Sequence, residues 1–155
     1  MPHALHLFKL FRIDSLAEMR RTYRPLFEGR GVSLALDAPA ADIIASLDHD
    51  RIVQLLSNLL GNALKFTPPG GSVALNVDHS DEQLVFVVRD DGAGVPADAL
   101  PNIFERFWQR DADTRRGLGL GLYLCRTIAQ AHGGDISVQS ELGEGTMFRV
   151  ALPVS

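Results

Sequence analysis

Leu55-Leu-Ser-Asn58-Leu-Leu-Gly61-Asn62-Ala-Leu-Lys65-Phe-Thr-Pro-Pro-Gly-Gly71 is the stretch on which the fold turns. At helical spacing Ile52, Leu55, Leu56, Leu59, Leu60, Ala63 and Phe66 make one broad apolar face, wide enough to bury against a core. Gln54, Asn58, Gly61, Asn62 and Lys65 form a narrow polar stripe opposite, because residues three or four apart are neighbours on a helix. A solvated stripe ordinarily uses Glu, Lys, Arg and Gln, and glycine in a helix costs about 1 kcal/mol relative to alanine. Asn, Gly and Asn in one row suit close approach and carbonyl chemistry instead. An amide oxygen can ligate a hard cation such as Mg²⁺, which takes oxygen ligands and keeps several waters. A neutral ligand fits a cation already neutralising a polyphosphate, where a carboxylate would repel the phosphates. Lys65, on the same face, can supply a phosphate-pairing charge.

Downstream, Pro68, Pro69, Gly70 and Gly71 break the helix and turn the chain. Val73, Leu75 and Val77 alternate as in a strand. Residues 84–90 read as a nearly all-apolar central strand, on which Asp90 shares a face with Leu84, Phe86 and Val88. A carboxylate on a core-facing row is rare unless paired, so Asp90 is either a structural salt bridge or a ligand contact. A tight loop, Asp90-Asp-Gly92-Ala-Gly94-Val-Pro96, follows. Its two glycines let backbone approach a flat ligand, although many simple turns share the pattern.

Ile103-Phe-Glu-Arg-Phe-Trp108 is an aromatic, helix-compatible patch, suited to core packing or to a hinge. Residues 109–116 turn polar, with two Asp and three Arg, the composition of a solvated lid carrying phosphate-pairing guanidiniums. Gly117-Leu-Gly119-Leu-Gly121-Leu122 leads into a helix through Ala131. Glycines just before a helix expose its free N–H groups, where phosphates bind. Cys125 reads as a packed, inert thiol, and His132 as a helix C-terminal residue rather than a catalytic one. Alternating strands at residues 136–140 and 146–152, joined by Gly143-Glu-Gly145, close the chain.

Upstream, a helix opens at a capping box of Ser15 and Glu18. Leu16, Met19, Tyr23, Leu26 and Phe27 keep helical spacing, and Pro25 is expected to kink or end the helix. Val32, Leu34 and Leu36 alternate as a strand, residues 43–47 form a short segment, and Asp48 or Asp50 caps the organising helix. Scattered apolar residues before Ile13 suit a strand or a lead-in, while His3 and His6 read as surface residues.

With 155 residues, 46% hydrophobic and 22% charged, the chain is one globular domain with a real core. A net charge of −4 gives no reason to expect nucleic acid as a partner. The single cysteine rules out an internal disulfide and fits a reducing cytosol. No apolar run approaches the ~20 residues of a membrane-spanning helix, so any membrane anchor of the intact protein is expected outside this chain.

The order of these blocks resembles the ATP-binding catalytic domain of bacterial sensor histidine kinases, members of the GHKL group with gyrase, MutL and the heat-shock chaperone ATPases. The resemblance runs from about Ser15 to the end. Asn58-Leu-Leu-Gly-Asn62-Ala-Leu-Lys65-Phe-Thr is similar to the N box, and Asp90-x-Gly92-x-Gly94 to the G1 box. Phe104-Glu-Arg-Phe107 is similar to the F box, Gly117-x-Gly119-x-Gly121 to the G2 box, and Gly143-x-Gly145-Thr146-x-Phe148 to the closing glycine-threonine motif. Each is modest alone; their order carries the resemblance.

The resemblance implies a two-layer α/β sandwich, with helices on one face of a mixed sheet and a mobile ATP lid. It implies that Asn62 ligates Mg²⁺, with Asn58 and Lys65 beside the phosphates. Asp90 would accept from the adenine amine, supported by Thr146 directly or through water. Gly92 and Gly94 would lie against the base, and Gly117, Gly119 and Gly121 would hinge the lid and meet the phosphates. Arg115 or Arg116 would be a further clamp, and Phe104 and Phe107 would anchor the lid's near end. Residues 1–14 would lead in from an upstream dimerisation and phosphoacceptor region. The implied reaction moves the γ-phosphate of ATP to a histidine on that separate helical domain, and a response-regulator receiver domain acts next. The implied location is cytoplasmic and the isolated domain is expected to be monomeric.

One departure matters: none of His3, His6, His49, His79 and His132 is followed by the Glu/Asp-Leu-Arg pattern of an acceptor helix. The chain is therefore expected to be a catalytic fragment that does not label itself. The alternatives are a GHKL ATPase clamp, an anti-sigma-type serine kinase and a nucleotide-binding module without catalysis. Clamp enzymes carry a water-activating Glu where this chain has Asn58, whose amide cannot act as a general base. Serine kinases of this type also tend to carry that Glu and lack a clear F box.

Overall fold

The computed structural model describes residues 10–39, 43–108 and 120–154. Expectations on residues 1–9, on the 109–116 lid with Arg115 and Arg116, and on Gly117 and Gly119 lie outside the described residues.

The organising helix is α2 (His49–Phe66), preceded by β1 (Leu10–Arg12), α1 (Ser15–Gly29), β2 (Ser33–Asp37) and β3 (Ile44–Asp48). After it come β4 (Ser72–His79), β5 (Gln83–Asp90), a short 3₁₀ turn at Leu100–Asn102, α3 (Gly121–Ala131), β6 (Asp135–Glu141) and β7 (Gly145–Pro153). Five strands pair in the order β2-β4-β5-β7-β6; β2 and β4 run parallel and every other pairing is antiparallel. β1 and β3 form a separate two-stranded ribbon. β5 is the central strand, and its buried face carries Leu84, Phe86, Val88 and Asp90.

Val73, Leu75, Leu84, Phe86, Val88, Phe148, Val150 and Leu152 all point to one buried face of the sheet. α2 and α3 pack on that face and on each other, while α1 lies against β2. The expected sandwich is the one observed. α2 buries Ile52, Leu55, Leu56, Leu59, Leu60 and Ala63, and each such leucine contributes about 1.5–3 kcal/mol over exposure.

Four local features differ from expectation or settle an open choice. Ser15 lies inside α1 rather than capping it; Asp14 occupies the cap position without a side-chain bond. Ser15 Oγ instead sits 3.4 Å from His49 Nδ1. Pro25 does not end the helix, which continues to Gly29. Pro25 and Arg21, whose carbonyl loses its partner, are both exposed, so water can satisfy that carbonyl. Of the two candidate caps of α2, Asp48 is the one used, accepting from the Arg51 N–H at 3.3 Å. The aromatic patch from Ile103 is a run of turns rather than a helix.

His132 ends α3, as expected, and also binds α2. The Asp48 N–H donates to its Nε2 at 3.0 Å, and its Nδ1 lies 2.8 Å from the Ile128 carbonyl. Nε2 accepts and Nδ1–H donates, so the imidazole pins the end of α3 to the residue that caps α2.

Gly61 is exposed and a Cβ there would meet nothing within 4 Å. Close packing does not require this glycine. Gly61→Ala should therefore raise stability by about 1 kcal/mol and the melting temperature by about 2–4 °C, read by thermal denaturation.

Candidate functional site

Of the polar stripe on α2, Asn58, Asn62 and Lys65 are half-buried, whereas Gln54 and Gly61 are exposed. Asn58 is half-buried at the α2–α3 contact, with its Nδ2 turned inward. Cys125 of α3 faces the same turn, its Sγ 3.5 Å from the Leu55 carbonyl. Burial pushes that thiol up to about 12, opposed in smaller measure by the Asn58 side chain and by its own backbone. A thiol so protonated is inert, as expected. One turn on, Asn62 faces a cavity, while the Lys65 ammonium lies 5.1 Å from the Phe66 ring centroid.

Asp90 ends β5 and is 8% exposed. Its Oδ1 accepts from the Gly92 N–H at 2.9 Å, a buried bond that lets a carboxylate stay on the core face. In register Asp90 stands opposite Val73 on one side and Thr146 on the other. Thr146 is equally buried, and its Oγ1 lies 2.9 Å from Ser140 Oγ. Ser140 Oγ accepts from the Val95 N–H at 2.7 Å and donates to the Gly145 carbonyl at 2.8 Å. Its single proton is thus committed to Gly145, and Thr146 must donate to Ser140. Thr146 Oγ1 is left with acceptor capacity toward the cavity.

The glycine loop approaches closely, but to the protein's own backbone. A Cβ at Gly92 would collide with the Phe66 carbonyl at the end of α2. Gly94, at φ 76°, leaves the same lack of room against the Glu141 carbonyl. The Gly143 N–H donates to the Ala93 carbonyl at 2.8 Å, tying the β6–β7 turn to the loop.

Asn62, Asp90, Gly94 and Thr146 meet at one cavity of about 30 Å³, with apolar walls from Phe66, Ile103, Trp108, Leu122 and Phe148. Gly92, Gly121, Asn58 and Lys65 do not line it: Gly92 follows β5, Gly121 opens α3, and Asn58 and Lys65 lie along α2. Ser140, Trp108 and Leu122 are site residues that sequence reasoning passed over. Trp108 stood in view within the aromatic patch, whereas nothing in the spacing marks Ser140. Phe104 packs edge-on to Phe148 at 6.1 Å, but Phe107 is 63% exposed.

A larger groove of about 880 Å³ crosses the open side of the sheet around Ala74, Arg89 and Met147. Its rim carries Asp91, Glu141 and Glu144. Glu144 is raised above its ordinary value by a hydrogen bond with Glu141 and then by that neighbour's charge. Such a rim repels a polyphosphate, and the smaller cavity is the better site.

Residues 47–155 match the family described as histidine kinase-, DNA gyrase B- and HSP90-like ATPases. The chain belongs to that family. Among its relatives is the sensor protein SrrB of Staphylococcus aureus, 36% identical over 141 residues, which are 89% of this chain and 24% of SrrB. The chain thus spans about a quarter of that relative's length. Full-length ShkA, solved in complex with AMPPNP, superposes with a TM-score of 0.82 at 34% identity, covering 96% of this chain and 32% of ShkA. The nucleotide-free catalytic domain of histidine kinase ThkA superposes with a TM-score of 0.82 at 26% identity, covering 95% of this chain and 97% of that one.

Proposed function

We propose that this family member binds Mg²⁺-ATP and transfers the γ-phosphate to a histidine on a separate helical dimerisation domain, as the catalytic part of a two-component sensor kinase. The observation that carries the reading is the meeting of Asp90, Thr146 and Asn62 at one cavity between α2 and the sheet. Asp90 and Thr146 both present acceptors, the complement of a purine amine. Asn62 faces the same space from the helix that bears Asn58 and Lys65. ShkA, a relative solved in complex with AMPPNP, supports nucleotide binding by this chain.

The donor set fits Mg²⁺ held jointly with the nucleotide. Among the described residues no group of three or more His, Cys, Asp or Glu could hold a metal alone. A cation at Asn62 would draw its other ligands from phosphate oxygens and water, as Mg²⁺ commonly does; there it would neutralise charge on the transferring phosphoryl group. Asn58 and Lys65 would orient the phosphates, and Gly92 and Gly94 would shape the base end. Gly121 would offer the start of α3 to the phosphates, with Arg115, Arg116, Gly117 and Gly119 adding donors.

Phosphoryl transfer needs positioning and charge stabilisation rather than a covalent nucleophile. Asn58 offers no base to activate water, so transfer is favoured over the clamp-type hydrolysis of related ATPases. His49 and His132 are engaged in structural contacts, which supports an acceptor on another domain. Residues 15–155 would be the catalytic unit and 1–14 its lead-in. A cytoplasmic location belongs to the same proposal; no described helix is long and apolar enough to cross a membrane.

The test supplies this chain, Mg²⁺ and labelled ATP to a separate acceptor-histidine domain. Label should appear on the acceptor's histidine and not on this chain. Label on a histidine of this chain alone would refute the fragment reading. Fast phosphate release without acceptor would favour the clamp.

A further inference from the structure

A cavity of about 30 Å³ is too small for the base it is proposed to take. One water needs about 10–15 Å³ of such space, so the pocket has room for two or three waters and not a bicyclic purine. Some wall must move. Ile103, Phe148 and Val95 are 2%, 3% and 8% exposed and belong to the core. Asp90 and Thr146 are locked in the β5–β7 ladder, and Gly94 lies against the Glu141 backbone. Leu122 sits in the first turn of α3, where the Leu124 N–H bonds the Leu120 carbonyl at 2.8 Å.

Trp108 is different. It packs against the core but is only partly buried and lies outside any helix or strand, with its backbone N–H 3.3 Å from the Glu105 carbonyl. Phe107, just before it, has φ 62°, the one non-glycine residue with positive φ among those described. That conformation is unfavourable for a bulky side chain. The Phe107 ring is 63% exposed and gains little burial in return. The next residue, Trp108, lines the pocket wall.

We propose that Trp108 is a plug of the base pocket: the strained Phe107 hinge holds the indole where part of the purine must go, and the nucleotide displaces it. The inference rests on the nucleotide reading above. A site occupied by its own side chain binds with an affinity reduced by the fraction of open molecules. The reading assigns two neighbouring residues effects of opposite sign. Trp108→Ala removes the plug and should tighten binding. Phe107→Gly relieves strain in the plugged state alone, deepens that state and should weaken binding.

The experiment titrates Mg²⁺-ADP into the full chain and both variants by calorimetry, following indole emission in parallel. Trp108 is the only tryptophan, so emission reports on the plug directly. ADP should shift wild-type emission to the red as the indole enters water. Minor conformers are commonly populated at about 10% or less, so Trp108→Ala should bind about tenfold tighter or more. Binding that is unchanged or weaker in Trp108→Ala, with wild type binding ADP, overturns the plug and leaves the nucleotide reading standing. No ADP binding by wild type overturns both. Phe107→Gly keeps every pocket wall, so its expected loss of affinity still decides the matter if Trp108→Ala fails to fold; an unchanged affinity there overturns the hinge.

Discussion

Asp90→Ala and Asp90→Asn should each weaken ATP binding about ten- to hundredfold, the equivalent of losing one charged hydrogen bond of about 1.5–3 kcal/mol. The two variants differ in what else they disturb. Asp90 Oδ1 accepts from the Gly92 N–H at 2.9 Å in a buried setting. Alanine orphans that N–H, which costs about 1–3 kcal/mol of stability. Asparagine keeps an oxygen for Gly92 but must turn its amide donors toward the purine amine, donor against donor. A carboxylate has about four lone-pair sites, so accepting from Gly92 leaves capacity for a ligand as well. Asp90→Asn should thus melt close to wild type and still lose affinity, whereas Asp90→Ala loses both. Calorimetric titration with ATP and thermal denaturation separate the effects. Unchanged ATP affinity in a folded Asp90→Asn protein would remove Asp90 from the base contact.

The elements read best from sequence are those whose order is local. α2 was legible because its apolar row and polar stripe both follow the helical period, and Asp90 because period two put a carboxylate on a core row. Pro25 does not end α1 because packing outweighs local chemistry: Leu16, Met19 and Phe27 are buried on both sides of it, so the helix continues. Ser15 mimics a capping box yet lies on the buried side near His49. The parallel pairing of β2 with β4 joins strands separated by β3 and α2, and no local pattern encodes such an order. Ser140 escaped notice because its role exists only once β6, the Val95 loop and Gly145 converge. The glycine loops were identified by residue type, but the pressure on Gly92 and Gly94 proves to include the protein's own carbonyls.

Gly145→Ala should be among the most damaging single substitutions in the chain, at about 3–5 kcal/mol. Gly145 has φ 119°, a conformation nearly closed to other residues, and forcing alanine into it costs about 1–3 kcal/mol. A Cβ would also collide with the Asp90 carbonyl and crowd the Asp91 Cα, and overpacking of this kind typically adds about 1–3 kcal/mol. Neither obstacle can yield easily, because both are backbone at the end of the β5–β7 ladder. The melting temperature should fall by roughly 10 °C in a domain of this size. Any relaxation must separate Asp90 from Thr146, so ATP affinity should drop with stability. Gly143 provides the control two residues away. It too has positive φ, at 81°, but a Cβ there would meet nothing within 4 Å. Gly143→Ala should cost only the backbone penalty of about 1–2 kcal/mol and leave ATP binding intact. Equal losses in the two variants, measured by denaturant unfolding, would show that the contact between Gly145 and the Asp90 carbonyl is not what holds the strand end in place.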